Sequence, residues 1–209
     1  MLGVELFLAL VVLPMIIGFY VPPPFWLPSL WLLAFAAWWR MRSDQSESEP
    51  RFEPVIARKT MRSEILRIAL RLILSTVILT VGVIKFAPNR LFNLPSEKPY
   101  LWLAVMILYP VLSVYPQEMI YRRYFFRRYS VLVEKPWLRV AVSAALFGWM
   151  HVIFRNDIAI VLTAIGGFIF ADTYRRTGSL RLTCLEHSLY GQLIFTIGLG
   201  EFFYHGTIH

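Results

Sequence analysis

The sequence predicts an all-α fold: a polytopic membrane helix bundle of about seven transmembrane helices with its N-terminus in the cytoplasm. Three observations predict it. Of the 209 residues, 57% are hydrophobic and only 16% are charged, too apolar a mixture for the polar surface a water-soluble globule needs. The apolar residues come in runs of membrane-helix length, separated by proline-rich or basic stretches. The Lys and Arg residues fall on alternate connections between those runs.

Leu2 to Val21 is apolar apart from Glu5 and stops at Pro22-Pro23-Pro24, whose rings break a helix. No basic stretch precedes it and no small-residue cleavage site follows, so it reads as a retained first span and not as a signal peptide. Phe25 to Trp39 is a second, aromatic-rich span, short enough to borrow flanking residues. It ends in Arg40-Met41-Arg42, with tryptophans where an interfacial belt would lie. Arg40 to Arg67 forms the main loop, polar from Ser43 to Pro50 and basic at Arg58, Lys59 and Arg62. Val55 to Arg71 reads either as an amphipathic helix lying on the headgroups or as a solvated helix leading into the next span.

Ile68 to Phe86 is the third span, with Arg71 near enough to its start to snorkel and given no catalytic role. Ala87 to Pro99 is a turn-rich loop. Tyr100 to about Arg128 is one long helix that starts as the fourth span, is kinked by Pro110 and Pro116, and ends in Arg122, Arg123, Arg127 and Arg128. Trp137 to Phe154, Ile158 to Tyr174 and Leu180 to Leu199 are the fifth to seventh spans. Their short connections make them antiparallel neighbours, and Gly166-Gly167 lets two of them approach closely. No internal repeat suggests an inverted-repeat transporter.

With the N-terminus inside, the main loop, the Arg123 to Arg139 region and Arg175, Arg176 and Arg181 all face the cytoplasm. Only Lys85, Arg90, Lys98 and Arg155 face outward, and Glu201 to His209 lie outside. This bias accounts for the net charge of +8 through the lipid bilayer, with no nucleic-acid partner. The expected location is a bacterial inner membrane. The lone cysteine, Cys184, lies in an apolar run and reads as a buried small residue in preference to a reactive thiol.

Within the apolar segments the ionisable side chains far from either interface are Glu118, Arg122, His151, Glu186 and His187. Each has a structural explanation alone: Glu118 and Arg122 as an ion pair one turn apart, a histidine as a hydrogen-bonded core residue. Together they are what water activation inside lipid requires, with Glu118 as the base, Arg122 as its electrostatic partner, and His151 and His187 to hold water, stabilise an oxyanion or bind a metal.

Glu118-Met119-Ile120-Tyr121-Arg122, Phe147-Gly148-Trp149-Met150-His151 and His187-Ser188-Leu189-Tyr190-Gly191, in that order on successive late helices, resemble the three motifs of the CPBP family. These CAAX protease and bacteriocin-processing proteins are intramembrane endopeptidases related to the type II CAAX prenyl protease. The resemblance covers about Tyr100 to Leu199 and divides the chain into N-terminal helices with their cytoplasmic loop (1–99) and a CPBP-like catalytic core (100–209). It implies that a glutamate and histidine site hydrolyses a peptide bond of a membrane protein or peptide. It also implies two departures. The family's first glutamate, its usual base, falls on Gln117, and its asparagine falls on Gly191. The expectation is that Glu118 takes over as base, with Gln117 orienting water, Phe147 supporting His151 and Gln192 supplying the missing amide. The alternative is a pseudoenzyme.

Zinc stays open as a cofactor, held by His151, His187 and Glu118, although no H-E-x-x-H spacing is present. No G-x-S-G serine site occurs, and Asp157 and Asp172 lie near span ends, away from an aspartyl dyad. His151 lies far along its span, whereas Glu118 and His187 lie nearer the cytoplasm. They meet if the fifth helix begins below the membrane surface, with a site that opens toward the cytoplasm. Two other functions compete: a non-catalytic membrane scaffold or regulator, and a carrier using these groups as a polar pathway.

Overall fold

The computed structural model describes residues 1–43 and 61–203. Seven long helices make up this part, and no strand occurs among the described residues. They are α1 (Leu2–Tyr20), α2 (Trp26–Ser43), α3 (Met61–Phe86), α4 (Pro99–Arg128), α5 (Pro136–Phe154), α6 (Asp157–Thr177) and α7 (Leu180–Thr196). The all-α expectation is met. Five of them, α1, α3, α4, α5 and α6, are long and apolar enough to cross a membrane.

The expected count was seven, and α2 and α7 make the difference. α2 carries Arg40 and Arg42 in its last turn, and α7 is only 17 residues long and carries Arg181, Glu186, His187 and Gln192. The polarity of α7 comes from its inward face, where Glu186, His187 and Ser188 are buried against protein. A helix that supplies the polar groups of an interior site scores poorly as a span by composition.

Of the expected main loop, Arg40 to Arg67, residues 44–60 lie outside the described residues, with the first part of Val55 to Arg71, as do residues 204–209, while Arg40 to Ser43 end α2 and Met61 to Arg67 open α3. From Met61 the helix runs without a break to Phe86, so residues 61–71 lead directly into α3. Its outer face exposes Ile73, Leu74, Val77, Ile78 and Val81, an apolar stripe suited to lipid. Its inner face is ionic. Arg71 is pinned and does not snorkel: its Nη2 lies 2.8 Å from Asp172 Oδ2, while Arg175 holds Asp172 Oδ1 at 2.7 Å. Buried Glu64 accepts from Arg176 Nε at 3.1 Å. These pairs tie α3 to the last turns of α6.

α5 and α6 pack most extensively against each other, and α6 also packs on α7, as their short connections require. Close approach comes from small residues. A Cβ on Gly167 would lie 3.2 Å from the Cα of Ala144 and 3.1 Å from Phe147 Cδ1, and one on Gly148 would lie 2.9 Å from the Cβ of Ala164. α1 and α2 close the other side. Glu5, the one charge in α1, receives hydrogen bonds from Arg128 Nη2 (3.0 Å), Tyr124 Oη (3.0 Å) and Tyr129 Oη (3.3 Å), which fasten α1 to the end of α4. The core between these layers is aromatic, built on Tyr121, Phe125, Phe126, Tyr129, Phe147 and Phe170.

α4 bends where proline requires it. Pro110 lacks an N–H and its ring crowds the carbonyl four residues back, and the helix widens into a π-helical turn over Pro110–Val114. One α-helical turn follows, Tyr115–Glu118, which contains Pro116, and then a second π-helical turn, Met119–Tyr124. Gln117 and Glu118 therefore sit on the single regular turn between two distortions.

Candidate functional site

Glu118 and Arg122 are both fully buried, with Arg122 Nε 3.3 Å from Glu118 Oε2. The guanidinium does more than pair with the carboxylate. Its Nη1 donates to Ser143 Oγ of α5 at 2.9 Å and to Tyr121 O at 3.2 Å, its Nη2 donates to Gly167 O of α6 at 3.2 Å, and its Cζ lies 4.9 Å from the Phe147 ring centroid. The Ser143 hydroxyl in turn donates to Tyr121 O at 2.7 Å. One side chain thus locks three helices together and fixes the carboxylate it faces.

The other oxygen of that carboxylate, Oε1, lies 2.9 Å from His187 Nδ1 on α7. A carboxylate can only accept, so Nδ1 carries the proton and Nε2 of the neutral ring is an acceptor. Nε2 faces the hydroxyl of Tyr109 at 3.1 Å. The imidazole is stacked on Phe170, with centroids 4.5 Å apart and planes 17° apart, and Phe147 meets its edge at 5.4 Å. Orientation of this ring is over-determined: one nitrogen is anchored, both aromatic contacts are close, and only Nε2 is left to act.

His151 ends the regular part of α5, where the helix tightens into a 3-10 turn over His151–Phe154. Its Nδ1 donates to Phe147 O at 2.7 Å, which leaves Nε2 as the acceptor of the neutral ring. Phe147 stands 4.8 Å from His151 and 5.4 Å from His187, so one ring bridges the two imidazoles.

A cavity of about 1140 Å³ runs through this region, with mostly apolar walls. Tyr109, Ser113, Gln117, Phe147, His151 and His187 all line it, and Glu118 does not. The carboxylate stands behind His187, its oxygens facing the imidazole and the guanidinium. Direct contact between Glu118 and cavity water, expected from the sequence, is not what this geometry offers. Gln117 does reach the cavity. Its Nε2 donates to Ser113 Oγ at 2.7 Å, and its buried Oε1 has no hydrogen-bond partner among the described residues. Gln192, expected to supply an amide, instead spends its Nε2 on Met106 O at 2.9 Å, and Cys184 is only partly buried.

Two participants were missed by reading the sequence. Ser143 sits in an apolar run with no motif around it, and Tyr109 lies nine residues before Glu118, the start of the first motif. The one trace of Tyr109 in the sequence is Gly191: a Cβ built there would collide with the Tyr109 ring and hydroxyl. A small residue facing a large one is invisible until the two helices are placed side by side.

The donor set does not fit zinc. The Nδ1 atoms of His187 and His151 are held by Glu118 and Phe147 O, so only the two Nε2 atoms could ligate a metal, and Glu118, the expected third ligand, is turned to His187 Nδ1 and Arg122. No group of three or more His, Cys, Asp or Glu side chains able to hold a metal ion occurs among the described residues.

Residues 98–192 match the family described as Type II CAAX prenyl endopeptidase Rce1-like. This range contains all three motifs and runs from the start of α4 to Gln192 in α7. No curated protein and no solved structure matches the chain.

Proposed function

We propose that this chain, whose residues 98–192 form an Rce1-like domain, is an intramembrane endopeptidase that hydrolyses a peptide bond of a membrane-associated protein or peptide. The observation that carries the reading is the buried Arg122, Glu118, His187 series, which leaves one unprotonated imidazole nitrogen at a cavity in a helical membrane protein. His187 Nε2 takes the proton of the attacking water. Glu118 holds the tautomer and stabilises the imidazolium as it forms, and Arg122 holds Glu118. Gln117 Oε1 and His151 Nε2 are acceptors for the water's remaining hydrogen. Here the glutamate works through the histidine, without touching water itself.

The proposal extends to seven spans with the N-terminus in the cytoplasm of a bacterial inner membrane, the site opening to that side. A non-catalytic scaffold is the second reading, favoured by Gln117 and Gly191 at two positions where the family carries chemistry. The purified chain in proteoliposomes, mixed with membrane proteins from cells lacking it, should generate new N-termini detectable by mass spectrometry. His187→Ala and Glu118→Ala should each reduce their yield by about 100-fold or more, the usual range for a lost acid-base group. If the same N-termini accumulate at wild-type rate in His187→Ala, the endopeptidase reading is wrong. A scaffold would retain its partners in that variant and release nothing in any.

A further inference from the structure

We propose that Tyr109 is a catalytic residue, a proton relay between cavity water and His187; the proposal rests on the endopeptidase reading.

Three observations carry it. The Tyr109 ring fills the space a side chain at position 191 would occupy, since any Cβ on Gly191 would collide with it. Phe195 backs the ring at 5.7 Å, so its place against α7 is set from two sides. The hydroxyl delivered there lies 3.1 Å from His187 Nε2. With Nδ1 carrying the proton toward Glu118, Nε2 can only accept, so the phenolic O–H donates to it. That leaves the phenolic oxygen with lone pairs to accept from another donor, and Tyr109, Gln117 and His187 line the same cavity. The only polar hydrogen the Tyr109 hydroxyl owns is therefore already pointed at the base. Water approaching Nε2 meets that hydroxyl on the way.

The step balances. As the water oxygen bonds to the substrate carbonyl carbon, one water O–H breaks and its proton goes to the Tyr109 oxygen. The original Tyr109 O–H breaks at the same time and its proton goes to His187 Nε2. When the tetrahedral intermediate collapses, the Nε2 proton returns through the Tyr109 oxygen to the amine nitrogen as the C–N bond breaks. Tyrosine and histidine both end as they began.

Tyr109→Phe keeps the ring against Gly191 and removes only the hydroxyl. With the membrane-protein mixture above, and then the best-cut peptide identified from it, kcat should fall by about 100-fold with KM unchanged. The Nε2 resonance of His187 in the histidine-15N-labelled protein should move, because its donor is gone. Difluorotyrosine at position 109, which restores a hydroxyl, should recover most of the rate. A merely structural tyrosine would also move the Nε2 resonance when its hydroxyl is lost, but its phenylalanine variant would keep the wild-type kcat and leave nothing for difluorotyrosine to restore. Wild-type cleavage by Tyr109→Phe, an unmoved Nε2 resonance, or difluorotyrosine as slow as phenylalanine would each overturn the relay while leaving His187 as base. If His187→Ala cuts like wild type, or the wild-type chain releases no new N-termini, the endopeptidase reading fails and the relay falls with it.

Discussion

Truncating Arg122 strands several polar groups at once. Arg122→Ala leaves a fully buried carboxylate without its guanidinium, and takes a donor from Ser143 Oγ and the Gly167 carbonyl, while Tyr121 O keeps only Ser143. Removing one partner of a buried pair typically costs about 3–5 kcal/mol, so thermal unfolding in detergent should shift down strongly or the chain should fail to accumulate. Arg122→Lys should rescue part of the stability and little of the activity, because one ammonium cannot serve α5, α6 and Glu118 in a fixed plane. Gly191→Ala tests the opposite side of the site. Its methyl group runs into Tyr109, which predicts about 1–3 kcal/mol of destabilisation and a loss of cleavage as the hydroxyl leaves His187, read by thermal unfolding and N-terminal mass spectrometry.

Between elements, the α5–α6 contact is the tightest joint near the site. Gly167 serves it twice, by allowing Ala144 and Phe147 to approach and by offering its carbonyl to Arg122. Gly167→Leu should separate the helices, displace Phe147 from its contacts with the two imidazoles, and destabilise the chain by about 1–3 kcal/mol in detergent unfolding. An equal substitution at Gly82, where a Cβ meets nothing within 4 Å, should be silent in the same measurement. Close packing at Gly167 was legible from the sequence, because small residues inside an apolar run have few other uses, whereas its neighbour Gly166 meets only Phe170 of its own helix. The kinks at Pro110 and Pro116 were legible for the same kind of reason. That the distortions are π-helical, and leave Gln117 and Glu118 on one regular turn, depends on hydrogen bonds that neighbouring helices help to choose.

Over the whole molecule, orientation is the open physical question that charge can answer. In a Cys184→Ala background, Ser48→Cys should react with a membrane-impermeant thiol reagent only from the cytoplasmic face, and Ser96→Cys only from the opposite face. Reversal of both would place the N-terminus outside. By itself the sequence determined the helical membrane character, the order of the helices and five of the buried ionisable residues, Glu118, Arg122, His151, Glu186 and His187, but not the buried Glu64 and Arg139 nearer the helix ends. Hydropathy, proline and charge act locally along the chain and can be read in order. Only the tertiary structure decided which of those residues reach the cavity. It turned Glu118 away behind His187, left Gln117 and His151 at the wall, committed Gln192 to Met106, and brought Tyr109 onto Gly191. Contacts between residues separated by 69 or 78 positions depend on the rotation of whole helices about their axes, which no local pattern encodes.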